Sequence, residues 1–572
     1  MITLGRVTTT DAQPAASAGS RAREVVLDAA ALTRCRRRIH LDHDPSAADS
    51  PQAPPDPAAE QRKADAAAHR ARIGAELAGL PGWVTVPPGP HAERVAATAA
   101  AVAAEAAYIW NAALPTAGGR SGGAELLVRL PEGGYVPVIV VRHRISDPGE
   151  GAVTSPLLQP SPLAAAPDPR RRVRSQPRDL MRLAHLHELL AEQGWGAQPQ
   201  PGALTGGVIG MDADVVVWHD LTAGLWPADG EGVRSTLEEY RVRFADRIAV
   251  AEAARTGAPP LALPSRITEC RRCPWWPRCE AELVAADDVS LIARGEVATM
   301  LRGIDVTTVA DLAALDPAQP VPIPLPEPVF ADLVGLARAR RSGLSVVRRV
   351  PRVEVPRADV EIDVDMESFG ESGAYLWGTL LTLPGGVRPG DEAPGYRAFV
   401  TWDPLPTPDE ARSFAEFWQW FTGVRAHAEA TGRTFAAYCY NEQAENRWLL
   451  DSARRFAGRP GIPSVAEVEA FIADPCWVDM YAVVDEWFLC AQGKGLKRIA
   501  PVAGFSWHDP EAGGENSMRW YRAAVGMDGE PPDLEQRRRL LTYNSDDVAA
   551  THALRTWMTS PAVEEVPLAA DL

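Results

Sequence analysis

Between Val360 and Gly378 the chain alternates apolar and polar positions: Ile362, Val364 and Met366 interleave with Asp363, Asp365 and Glu367. A period of two predicts a β-strand with one apolar face, and the polar face here is wholly acidic. Further on, "FAAYCYNEQAENRWLL" reads as a strand entering a helix, and "LLTYNSDDVAATHALRTWM" as a helix. "SFAEFWQWF" has the look of a helix packing face. Upstream, "PRDLMRLAHLHELLAEQGW" predicts an amphipathic helix and "DADVVVWHDL" a strand. "AELLVRL" and "YVPVIVVRHR" are strand-like runs split by "PEGG", a hairpin signal. Residues 91–113 are Ala-rich and predict helix throughout. "GEVATMLRGIDVTTVADLAALD" predicts two short helices around Gly303, and "SPLAAAPDPRRRVR" a surface loop with a solvated basic run.

Helices and strands are mixed along the chain, which gives an α/β class. The 572 residues suffice for two or three domains. The expected divisions are a disordered tail (1–22), a first domain (23–285), a helical linker (286–350), a final domain (351–560) and a tail (561–572).

Composition narrows the function classes. At 46% apolar and 23% charged the chain is of the globular type, and no apolar run reaches the roughly 18 residues of a membrane helix. The first residues lack the apolar core of a signal peptide, so a cytoplasmic location is expected. A net charge of -17 argues against a non-specific polyanion binder, but carboxylates clustered around metal ions would contribute to it. No GxxxxGK[ST] loop is present, so no ATPase is expected.

Seven cysteines are too few for a disulfide scaffold of this size. "ECRRCPWWPRCEAEL" holds Cys270, Cys273 and Cys279, and a zinc ion or iron–sulfur cluster would need a fourth soft ligand. Cys35 in "LTRCRRRIH" is the best candidate, because Cys439, Cys476 and Cys490 fall in the final domain. One cysteine early in a domain with C-x2-C-x5-C at its end resembles the iron–sulfur variant of the RecB-type (PD-(D/E)XK) nucleases. That resemblance implies a restriction-endonuclease-like α/β fold, with a 4Fe-4S cluster on Cys35, Cys270, Cys273 and Cys279. Zinc is the alternative, and Trp275 and Trp276 would shield the cluster. The same family carries an Asp on one strand, then an acid, a spacer and a Lys on the next. Here Glu125 stands in the Asp position and Ile139 and Val141 in the other two. An apolar pair cannot ligate Mg²⁺, and Arg142 points to the opposite strand face. This domain is therefore read as nuclease-like in fold and inactive in chemistry.

In the acidic strand, residues i and i+2 share a face, so Asp365 and Glu367 project together. That arrangement is costly unless a cation lies between them. Asn441 and Glu445 are four apart on a helix face, as are Tyr543 and Asp547. Strand D-x-E, then N-x3-acid, then Y-x3-D resembles the DEDD-type exonucleases of RNase H-like fold, whose central sheet is mixed. The resemblance implies Asp365, Glu367, Glu445 and Asp547 as ligands of two Mg²⁺ or Mn²⁺ ions, with Tyr543 orienting the attacking water. The second motif normally carries Asp, and Glu445 is one methylene longer. Asp546 is the substitute for Asp547 if the register differs by one, and Asp363 reads as a flanking charge. Asp479, Leu496 and Lys497 match a further family pattern loosely. Lys494, Lys497 and Arg498 are candidate phosphate contacts.

Together the halves resemble a bacterial family of RecB-like nucleases with a C-terminal RNase H-like domain. The resemblance implies a metal-dependent, 3′–5′ exonuclease-like enzyme acting on single-stranded DNA or RNA. It also implies a role in DNA repair, with a helicase or repair protein in a separate chain as partner. The competing expectation is a non-catalytic nucleic-acid-binding scaffold with both centres inactive.

Overall fold

A computed structural model describes residues 24–572 apart from 55–56, 199–201, 229–231, 320–321, 326–328, 512 and 528. The tail expected at 1–22 lies outside the described residues. The chain divides into two compact units, one of residues up to 50 with 64–263 and one of 51–63 with 264–572. The break falls before the cysteine run, so Cys270, Cys273 and Cys279 belong to the second unit and Cys35 to the first. Both units mix helices with mixed sheets, as the α/β expectation required. Among the described residues no helix is long and apolar enough to cross a membrane.

The first unit is built on an eight-stranded sheet. Its inner strands include the hairpin of Arg120–Arg129 and Tyr135–Val140, and every residue of the second of these is buried. Helix Pro177–Glu192 lays Leu180, Leu183, Leu186 and Leu190 into the core of this sheet. Two expectations fail here. The Ala-rich stretch is helical only over His91–Ala103 and then enters the sheet as Tyr108–Ala117. Glu105 sits at φ 55 and the Ala106 amide bonds back to the Ala101 carbonyl, which closes the helix as a left-handed cap does. Tyr108, Ile109 and Trp110, all good strand formers, then pair with Val128, Leu127 and Leu126. The expected basic loop also contains two short strands, Ala166–Asp168 and Arg171–Val173. Its charge is partly spoken for, because Arg171 pairs with Asp168 and Asp214.

In the second unit, Glu296–Arg302 and Val309–Ala314 flank Gly303, and Thr308 and Asp311 form a capping box at the start of the latter. The candidate site belongs to the five-stranded sheet that follows. Its strands are β1 (Val360–Ser368), β2 (Ala374–Thr382), β3 (Gly395–Val400), β4 (Phe435–Cys439) and β5 (Trp477–Asp479), in the spatial order β3-β2-β1-β4-β5. The β3-β2-β1 portion is antiparallel, and β1, β4 and β5 run parallel. Four helices matter: α1 (Glu410–Ala430), α2 (Gln443–Arg455), α3 (Gly514–Val525) and α4 (Leu534–Met558).

The alternation in β1 decides the layering. Ile362, Val364 and Met366 share a core with Trp377, Trp448 and the α1 residues Phe414, Phe417 and Phe421. Phe417 stacks on Trp377 with ring centroids 4.9 Å apart. The opposite, acidic face is largely covered by α4, which packs on β1 and β2, and Asp365 alone of its carboxylates stays partly exposed. Glu361 continues that face, so four carboxylates rather than three point towards α4, and Glu361, Asp363 and Glu367 are buried.

Candidate active site

Spacing along α4 assembles the site. Tyr543, Asp547, Thr551 and Arg555 recur every fourth residue, so one stripe of the helix runs along the acidic face of β1. Arg555 closes the far end. Its two terminal nitrogens engage Asp363, and Nη2 also reaches Glu361 at 3.2 Å, all fully buried. Arg357 adds bonds of 2.7 and 3.0 Å to Glu361, and the Tyr438 hydroxyl donates at 3.1 Å. Burial alone would raise the Glu361 carboxyl; the arginines hold it below its ordinary value. Asp363 is thus a buried ion-pair partner rather than a flanking charge.

The near end is different. Asp365, Glu367 and Asp547 offer ligand atoms that all lie within 4.8 Å of one another, the arrangement of a metal-binding group. The basic group acting on all three is Lys497, whose Nζ is 3.9 Å from Asp547. Withdrawal from water, followed by the charges of Asp547, Glu367 and Glu445, pushes Asp365 well above the carboxylate range. Burial and the Asp547 charge push Glu367 up to about 8. Asp547 is raised by burial and partly restrained by Lys497. Each group is held in place by neutral donors. Asn544 Nδ2 donates to Asp365 at 2.7 Å, Ser517 to Glu367 at 3.1 Å and Trp507 Nε1 to Asp547 at 2.6 Å.

Glu445 stands just outside this group, in the first turn of α2. It is 4% exposed, and its Oε2 is buried with no hydrogen-bond partner. Burial foremost, with the Asp479 and Glu367 charges, raises it to about 8. Three converging carboxylates, a fourth with an orphaned oxygen and a single ammonium suit a hard divalent cation, which takes oxygen ligands and offsets like-charge repulsion.

The other sequence candidates separate cleanly. The Tyr543 hydroxyl accepts a 2.8 Å bond from Lys497, and burial and the surrounding acids raise its pKa. Asp546 turns away to His508, accepting from its backbone amide at 2.9 Å, with 2.7 Å between its Oδ1 and the ring Nδ1. Asp479 caps the helix Met480–Trp487 and also accepts from the Asn441 amide, both at 2.8 Å. Lys494 pairs with Asp485, and Arg498 is exposed. In the first unit, Glu125 accepts from Arg182 at 2.8 and 2.9 Å and from the Val140 amide at 3.2 Å, while Ile139 is fully buried. Cys270 lies in the turn Thr268–Arg272 and Cys279 in helix Trp276–Ala285, with Cys273 and Trp275 buried between them.

Sequence reasoning missed Asn544, Trp507, Ser517, Glu361 and Arg555. Two were within reach: Glu361 extends the β1 alternation by one step, and Arg555 lies two further steps along the Y-x3-D stripe.

Residues 464–559 match the family model described as the RNase_H superfamily. The matched stretch holds Lys497, Tyr543, Asp547 and Arg555, while the acidic strand and Glu445 lie upstream of it. No match was found among curated proteins or among solved structures. The match supports an RNase H-like domain in the C-terminal part of the chain, and the mixed α/β architecture there is consistent with it. Such a domain suggests nuclease-type hydrolysis with nucleic acid as substrate, and divalent metals are typical of the class.

Proposed function

We propose that this protein is a metal-dependent nuclease that hydrolyses phosphodiester bonds at the α4–β1 site, with Asp365, Glu367, Glu445 and Asp547 as ligands for Mg²⁺ or Mn²⁺. The observation that carries the reading is the contrast along one strand face. Glu361 and Asp363 are matched by arginines, whereas Asp365 and Glu367 face another carboxylate. A fold tolerates such an excess of buried negative charge where a cation completes it. Bound there, divalent metal would supply an acidified water and charge stabilisation at phosphorus. The chain's own residues do the remaining work. Ser517 and Trp507 orient the carboxylates of Glu367 and Asp547, Tyr543 positions the water through its hydroxyl, and Lys497 offers positive charge to a scissile phosphate. A 3′–5′ exonuclease mode on single strands, in DNA repair and beside a helicase partner, is the form of activity we favour.

The first unit is best read as RecB-like in fold and without hydrolytic chemistry. Support comes from Glu125, which Arg182 and the Val140 amide engage, and from the apolar Ile139. The C-x2-C-x5-C thiols fit three ligands of a 4Fe-4S cluster, with zinc the alternative, and the family resemblance supplies Cys35 as the fourth. A brown, iron- and sulfide-containing protein supports the cluster; a colourless one with stoichiometric zinc excludes it.

The deciding experiment is Asp365→Ala. It should abolish Mn²⁺-dependent cleavage of single-stranded oligonucleotides while the circular dichroism spectrum stays unchanged. Undiminished cleavage by that variant removes the assignment.

A further inference from the structure

We infer that Asn544, oriented by Tyr396 and admitted by Gly378, is a positioning residue that fixes the Asp365 carboxylate for metal binding. The inference rests on the nuclease reading above and adds a residue that reading does not require. Three separate features of the structure converge on it.

First, the amide spans two partners. The Tyr396 hydroxyl donates to Asn544 Oδ1 at 2.7 Å. Asn544 Nδ2 donates to Asp365 Oδ2 at 2.7 Å and to the Asp365 carbonyl at 3.3 Å. The Asp365 backbone carbonyl only accepts, as does its carboxylate in the ionised form that binds a cation, so the nitrogen must face Asp365, and the Tyr396 proton then finds the oxygen. The amide therefore has one satisfied orientation. It engages one Asp365 oxygen and leaves the other for a cation.

Second, the sheet makes room for it. Gly378 pairs directly with Asp365 across β1 and β2. A Cβ at 378 would lie 1.5 Å from Asn544 Oδ1 and 2.5 Å from its Cγ. Any side chain there would evict the amide.

Third, Asn544 is fully buried, yet it projects a polar head between two strands. A leucine of the same branched shape would occupy that space without the cost of burying an amide. Hydrogen-bonded partners of metal ligands fix ligand orientation, and their loss typically weakens metal binding or activity about 10- to 100-fold.

The test is calorimetric titration of the full chain with MnCl₂, paired with kcat and KM on a single-stranded oligonucleotide. Asn544→Leu keeps the branched shape and removes the donor. Tyr396→Phe removes only the hydroxyl that orients the amide, and Gly378→Ala displaces the amide without altering it. The expected result is Mn²⁺ affinity lowered about 10- to 100-fold in Asn544→Leu and Gly378→Ala, and less in Tyr396→Phe. In all three kcat should fall more than KM rises. Wild-type affinity and kcat in Asn544→Leu would overturn the inference and leave the nuclease reading standing. If that variant does not fold, wild-type behaviour of both Tyr396→Phe and Gly378→Ala overturns it equally. Failure of the unaltered protein to bind Mn²⁺ would overturn both.

Discussion

Arg555 and Asp363 form a two-pronged ion pair that water does not reach, and Asp365, the next residue on that strand face, has no such partner. Two residues along one strand thus separate a neutralised structural charge from a charge held ready for use. The arginine end braces α4 against β1, and the braced helix delivers Asp547 to the open end.

Arg555→Met should be severely destabilising. It leaves Glu361 and Asp363 buried without their central cation, and breaking a buried pair by removing one partner costs about 3–5 kcal/mol. Urea unfolding followed by tryptophan fluorescence should show the loss. A variant as stable as the parent would mean that the carboxyls are protonated in the fold.

Asp365→Asn should separate stability from function. Replacing an acid whose ionisation the fold opposes should raise the thermal midpoint of the metal-free protein. The same variant should lose the further rise that Mn²⁺ gives the parent. Thermal scans with and without MnCl₂ read both effects.

Metal-free stability should fall as pH rises. The Glu367 carboxyl ordinarily titrates at 4.5 and is held to about 8 in the fold, and Glu445 behaves alike. Between those values the unfolded chain has lost protons that the native site retains. The native state therefore binds more protons, and its stability drops with each step of pH across the window. Cation binding must then expel protons. Calorimetry near pH 7 in buffers of different ionisation enthalpy should report their release, and a heat independent of buffer would contradict it.

Tyr543→Phe should lower kcat about 100-fold if the hydroxyl positions the attacking water, with little change in Mn²⁺ affinity. An equal fall in metal affinity would instead make Tyr543 a support for Asp547.

Glu125→Ala should leave cleavage unchanged, because the first unit is assigned no hydrolytic step. Its cost should be structural, about 1 kcal/mol for the lost bonds to Arg182 and the Val140 amide. Loss of cleavage in this variant would return the first unit to the chemistry.

Local patterns were legible in the chain and distant pairings were not. The two-residue period of β1 and the four-residue spacing of Tyr543 and Asp547 are properties of single elements, so each could be read where it stood. The partnership of Asn544 with Asp365 joins residues 179 apart, and no local pattern fixes the register between them. Asp363 looked like a flanking charge for the same reason, since its partner lies 192 residues downstream. The Ala-rich stretch misled differently. Alanine favours helix but carries no stop signal, and the stop at Glu105 is set by the pull of Tyr108, Ile109 and Trp110 into the sheet.

Those 192 residues also set a clock. At ribosomal rates of roughly 5–20 residues per second, Asp363 is made about 10–40 s before Arg555. Until then the acidic face of β1 has no lid and, beyond Arg357 at Glu361, no counterion, and must stay wetted. A nascent chain stalled anywhere short of α4 therefore carries the carboxylates of this site without Asp547 to complete it.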